Sequence, residues 1–166
     1  MFKDLIEKVE TVIDEQRSDK HDQISARIEK ILDSEVKLEQ FTSKKMAGKQ
    51  IDVNFLDFGY PINVQSGGKY NLKMGSQPNS DPLASDTILL SICGKYKDLC
   101  CNCSRTLMID PKPEQKEAYQ FLLETFDFLQ KKLVPGSKLG DIQKEVTKFA
   151  RQKATDLGGP NTDKGK

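Results

Sequence analysis

The sequence predicts a mixed α/β (α+β) chain: a helical pair, then an antiparallel hairpin, then two more helices. Three observations predict it. Apolar residues recur at steps of three and four near both ends, the stripe of an amphipathic helix. Between them, TILLSIC and LCCNCSRTLMI have strand length and composition and flank the turn-forming GKYKD. Finally, 166 residues suffice for one ordinary core and leave room for only a very small second domain.

From Phe2 to about Arg17, the positions Phe2, Leu5, Ile6, Val9, Val12 and Ile13 make one helical face. Ser18 and Asp19 break the pattern and can cap a second helix, marked by Ile24, Ile28, Ile31 and Leu32. This helical pair takes residues 1–40. Phe41 to Gln50 reads as a surface loop, and the strand-like IDVNFLDF follows. In YPINVQSGGKYNL, Pro61 and the Gly67-Gly68 pair predict a turn between two extended pieces. The string GSQPNSDPLASD, Gly75 to Asp86, offers almost nothing that packs and is expected to be a mobile loop.

After the hairpin, Pro113 suits the first turn of a helix whose Ala118, Phe121, Leu122, Phe126, Leu129 and Leu133 form a wide apolar face. Pro135-Gly136 ends it. Leu139, Ile142, Val146, Phe149 and Ala150 mark a last helix, and residues 151–166 are expected to be a disordered tail.

The 26 basic and 25 acidic residues nearly cancel, so whole-chain charge points neither to nucleic acid nor to an acidic membrane. No apolar run approaches the roughly 18 residues that span a bilayer, and the acid-containing N-terminus is no secretory signal. The four cysteines are therefore expected to meet a reducing compartment.

Cys93, Cys100, Cys101 and Cys103 match no paired zinc-ligand spacing. On a strand, Cys101 and Cys103 project to one face and Cys100 to the other, so all three cannot converge on one ion. They read best as small buried residues of a sheet. The hairpin turn leaves open a contact of Cys93 with Cys100 or Cys101. His21, the only histidine, reads as an exposed helix-start residue. With one histidine there is little room for a catalytic triad. Gly67-Gly68 lacks the P-loop spacing, and the pairs Lys44-Lys45 and Lys131-Lys132 stand alone without interleaved aromatics.

The segment from Thr87 to about Val146 resembles the first half of the pita-bread fold of creatinases and of methionine or proline aminopeptidases. In such enzymes the two hairpin strands carry aspartates eleven residues apart, the second within a Ser-Asp-x-x-Arg-Thr segment, and both hold divalent metal ions. Arg105-Thr106 fixes the alignment here, which places Asn102 and Ser91 at the two aspartate positions. Neither supplies an anionic oxygen. VIDEQRSDKHDQISARIEKIL, YPINVQSGGKYNL and CNCSRTLMIDP are further similar to the N-terminal peptidase-like domain of the large subunit of FACT, a histone chaperone. Tyr60, Pro61, Gln65 to Gly68, Cys100, Asn102, Arg105 and Thr106 fit that branch, and the similarity runs roughly from Leu5 to Ala150.

The resemblance implies a partial peptidase-like domain over residues 51–150 and a module that is no enzyme, without catalytic residues, cofactor or metal. It implies a nuclear, chromosomal role in nucleosome reorganisation during transcription, replication and repair. The implied partners are core histones, other chromatin proteins and the smaller HMG-type FACT subunit, with no membrane and no small-molecule substrate; the residues that bind partners are not identified. The family's second half, with the remaining metal ligands, and its other regions have no counterpart in these 166 residues. A fragment, a truncated paralogue or a product without independent function therefore stand as alternatives, beside a metallo-aminopeptidase or creatinase-like hydrolase. Apolar faces left uncovered in a half-domain predict marginal stability.

Overall fold

The computed structural model describes residues 2–30 and 52–156. Two helices come first, α1 (Phe2–Asp14) and α2 (His21–Glu29). A 3-10 turn, Val53–Phe55, leads into strands β1 (Leu56–Gln65), β2 (Thr87–Tyr96) and β3 (Leu99–Met108). Helices α3 (Pro113–Lys132) and α4 (Leu139–Asp156) follow. The predicted Phe41–Gln50 loop and the positions Ile31 and Leu32 lie outside the described residues. The chain forms two compact units, divided between Asp110 and Pro111.

In the first unit the strands make an antiparallel sheet of order β1-β2-β3. The predicted hairpin is β2–β3, closed by Lys97 and Asp98, with Lys97 in the left-handed region at φ 54°. Of the strand-like patch predicted before Tyr60, only Leu56 to Phe58 is strand, and it runs on through YPINVQ as one strand at the sheet edge, where the missing N–H of Pro61 costs no rung. Register shifts on either side of Tyr60 absorb the irregularity.

Side chains alternate along β2, and Ile88, Leu90 and Ile92 are buried. They pack with Ile62 and Val64 of β1, Leu5, Val9 and Val12 of α1, and Ile24 and Ile28 of α2. Each such side chain contributes about 1.5–3 kcal/mol of burial free energy. Arg105, opposite Leu90 on β3, lays its guanidinium 5.9 Å from the centroid of the Phe2 ring.

The helix start at His21 departs from the predicted cap. Lys20 is the N-cap, and Gln23 Oε1 accepts from its backbone N–H at 3.1 Å. Asp19 instead binds the guanidiniums of Arg27 and, at 3.1 Å, Arg17. Its carboxyl is 13% exposed, and the Arg27 hydrogen bond, with attraction to both arginines, outweighs burial to hold it below its ordinary value of 3.8. A carboxyl depressed in the folded state contributes stability above its unfolded pKa and loses it as pH falls through the folded one. Asp19→Asn is therefore expected to cost about 0.5–1 kcal/mol at pH 6 in this half-solvated pair. The gap should close on acidification below pH 3.8, measured by urea midpoints at successive pH values.

The second unit is a helical pair. Pro113 opens α3 as predicted, and Gln115 Oε1 accepts from Lys112 N–H at 2.8 Å. Phe128 stacks on Phe149 with centroids 4.4 Å apart, and Lys132–Glu145 and Lys153–Glu124 link the helices at 2.6 and 3.0 Å. The wide apolar face predicted for α3 stands largely uncovered: no residue of the helix is buried, and Leu122, Phe126 and Leu133 of that face are exposed. Helix α4 runs to Asp156, so Arg151 to Asp156 are helical where a disordered tail was expected. Thr155 Oγ1 donates to the Arg151 carbonyl there, and residues 157–166 lie outside the description.

Candidate functional site

The two positions singled out on the hairpin meet. Ser91 pairs with Ser104 across β2 and β3, and Cys93 pairs with Asn102, so Asn102 lies diagonal to Ser91. Ser91 Oγ donates to Asn102 Oδ1 at 3.1 Å, and Ser104 Oγ donates to Ser91 Oγ at 3.0 Å. Asn63 of β1 stands opposite Ser91 and donates through Nδ2 to Ser76 Oγ. By strand alternation this polar row occupies the face opposite Ile88, Leu90 and Ile92. Asn102 and Ser104 are exposed and Ser91 is half-buried.

The row is neutral throughout. A hard divalent cation draws its affinity from carboxylate oxygens, and this row offers only hydroxyl and amide groups. Among the described residues no group of three or more His, Cys, Asp and Glu side chains converges as a metal site. The donor set does not fit the metal pair that the fold family uses, and no hydrolytic step follows from it.

One rung nearer the turn lies a thiol pair. Cys93 is buried, whereas Cys100 and Cys101 are exposed and Cys103 is half-buried, so the expectation of four buried cysteines holds only for Cys93. The reason is topological: β3 is an edge strand covered less than β2. Burial, then the neighbouring Cys100 thiol, push the Cys93 thiol above its ordinary ionisation range. Gly59 of β1 sits against both. A Cβ there would lie 2.8 Å from Cys93 Sγ and 3.4 Å from Cys100 Sγ. Of the two neighbours left open for Cys93, it is Cys100 whose sulfur shares this gap over Gly59.

The residues that sequence reasoning missed surround QSGG. Gln65 is buried; its Oε1 accepts from Asn71 N–H, and its Nε2 donates to the Asn71 carbonyl at 3.0 Å. Gly67 and Gly68 take φ of +78° and +79°, which glycine adopts without strain. The extended piece expected after them forms no strand.

His21 is fully buried, not exposed, although it does begin α2. Asn79 Nδ2 donates to Asp81 Oδ2 at 2.9 Å, which turns Asn79 Oδ1 toward His21 Nδ1 at 2.6 Å. Nδ1 therefore carries the proton, and Nε2 accepts from the Ser66 hydroxyl at 2.7 Å. Ser66 Oγ in turn accepts from Ala84 N–H at 2.8 Å. The order Ser66–His21–Asn79 is that of a nucleophile, base and orienter, but His21 and Ser66 are sealed from solvent. Their effect is mechanical. They hold α2, the end of β1 and the 79–84 segment together.

The string expected to be a mobile loop is accordingly pinned. His21 N–H donates to the Asp81 carbonyl, Leu83 N–H to that of Asp19, and Ser80 Oγ to Asp22 Oδ2. Leu83 packs against the core, and the polar residues around it are ordered by hydrogen bonds that close on the start of α2.

A small antiparallel sheet backed by amphipathic helices, with a neutral polar row on its other face, is the arrangement expected of a peptidase-like chain. The family model for metallopeptidase family M24 matches residues 5–163, and the chain belongs to that family. Among curated proteins it is 34% identical over 139 residues to FACT complex subunit SPT16 of Kluyveromyces lactis, covering 80% of this chain and 13% of that one. Among solved structures it is similar to the N-terminal domain of FACT complex subunit SPT16 from Eremothecium gossypii. The TM-score is 0.83 at 27% identity, covering 94% of this chain and 37% of that one. The corresponding chickpea domain gives 0.76 at 29% identity, covering 92% and 34%. The resemblance to the FACT branch and the mixed α/β fold are borne out. The chain spans about an eighth of the length of that curated relative.

Proposed function

We propose that this chain acts as a non-catalytic, peptidase-like module of a FACT-type histone chaperone. In this reading it contributes to nucleosome reorganisation in transcription, replication and repair, in the nucleus and on chromosomes. Its partners are core histones, other chromatin proteins and the smaller HMG-type FACT subunit. The observation that carries the loss of catalysis is the Ser91–Asn102 hydrogen bond, two neutral groups in contact where metal ligands would stand. Similarity to FACT complex subunit SPT16 in sequence and fold supports the chromatin role.

The test is capture of purified core histones by the immobilised chain across a salt series, with metal analysis and peptide turnover in parallel. Histone binding that persists above roughly 150 mM salt, where surface charge is largely screened, is expected. No association with histones at any salt would sink the chaperone reading. Family membership favours a hydrolase as the rival, and stoichiometric metal with turnover would establish it instead.

The side-chain origin of the metal loss has its own check. Ser91→Asp combined with Asn102→Asp places two carboxylates in contact, which is expected to cost about 1–2 kcal/mol by like-charge repulsion. Manganese or cobalt should return that stability, because a cation bound to the folded state alone raises it by mass action. The readout is thermal unfolding with and without metal; a double variant indifferent to metal would show that two hairpin carboxylates alone do not hold a cation.

A further inference from the structure

The geometry points to Cys93 and Cys100 as an oxidisable pair that closes into a cross-strand disulfide under a two-electron peroxide oxidant. Three observations carry it. The two side chains lie on one face of the hairpin, and both sulfurs crowd the same side-chain-free position, within 2.8 and 3.4 Å of where a Gly59 Cβ would stand. The same diagonal one rung away is already bridged by side chains, Ser91 Oγ donating to Asn102 Oδ1 at 3.1 Å, so groups placed in this sense across the hairpin face each other. Cys100 is exposed and Cys93 is buried, which gives one sulfur that meets oxidant and one that resolves it.

The Cys100 thiolate attacks one peroxide oxygen; the O–O bond breaks, hydroxide leaves, and Cys100 becomes a sulfenic acid. Cys93 sulfur then attacks Cys100 sulfur, forming S–S and breaking S–O. The departing hydroxide takes up the Cys93 proton as water. Two thiols give up two electrons and two protons, and hydrogen peroxide is reduced to two waters. Cys101 and Cys103 project from the opposite face and do not take part.

The experiment treats the full chain with equimolar hydrogen peroxide and reads intact mass and a non-reducing peptide map. Loss of two hydrogens with a Cys93–Cys100 linked peptide, reversed by dithiothreitol, is expected. Cys101→Ser and Cys103→Ser should keep the link, and Cys100→Ser should abolish it. Gly59→Ala, which crowds the sulfurs, should slow its formation several-fold, with circular dichroism confirming the fold. Conversion of Cys100 to sulfinic acid without a link, or a link from Cys100 to Cys101 or Cys103, would overturn the assignment.

Discussion

His21→Ala is expected to destabilise the first unit by about 3–4 kcal/mol, a large share of the 5–15 kcal/mol that holds a typical domain. Two costs add. Removing a fully buried ring leaves a cavity that the surrounding elements fill only in part, the effect that makes large-to-alanine changes cost several kcal/mol. Ser66 and Asn79 also each lose a hydrogen-bond partner, Ser66 in a buried setting. Asn79 Oδ1 retains the Asp81 N–H at 3.2 Å and Ser66 Oγ retains Ala84 N–H at 2.8 Å, which keeps the total from rising further. The measurement is the urea midpoint at constant m-value, with hydrogen exchange of the Leu83 and Ala84 amides as the local readout. A loss under about 1 kcal/mol would mean that the ring carries no clamp.

That clamp was illegible in the sequence for a physical reason. His21 meets Ser66 and Asn79 at separations of 45 and 58 residues, and its flanks SDKHDQ give every local sign of solvent. Burial there is a tertiary fact. The α1 stripe was legible because Leu5, Val9 and Val12 repeat at helical spacing, and all three are buried. The hairpin was legible from its turn and β-branched runs, and counting back from Arg105 led to Ser91 and Asn102, which do meet. Alternation separated Cys100 from Cys101 and Cys103 correctly, but it carries no information on which strand ends at the sheet edge. Hence the misjudged burial of three cysteines. Pro61 misled similarly: it read as a turn, and the edge position of β1 admitted it into a strand.

The same edge logic bears on how the chain behaves in solution. Among the described residues β3 has no strand on its outer side, and its only charge is Arg105. Natural edge strands are blunted by lysine, proline or a bulge, and β3 has none of these. With Leu99 exposed on β3 and the uncovered apolar residues of α3, these surfaces favour association at high concentration.

The register of the sheet decides the second large effect. Leu90 is 1% exposed, opposite Val64 on one side and Arg105 on the other, while adjacent Leu89 faces the other way and is half-buried. Leu90→Ala is expected to cost about 2–5 kcal/mol, since the deleted methyls leave a void between the sheet and the two N-terminal helices. Leu89→Ala, an identical chemical change one residue away, should cost about 1 kcal/mol or less, because water already reaches that side chain. The two variants compared by urea unfolding test the register directly. A one-residue slip of β2 would exchange the faces and invert the order of the two losses. It would also carry Ser91 into the apolar layer and take it away from Asn102, so the pair of measurements checks the sheet on which the neutral site depends.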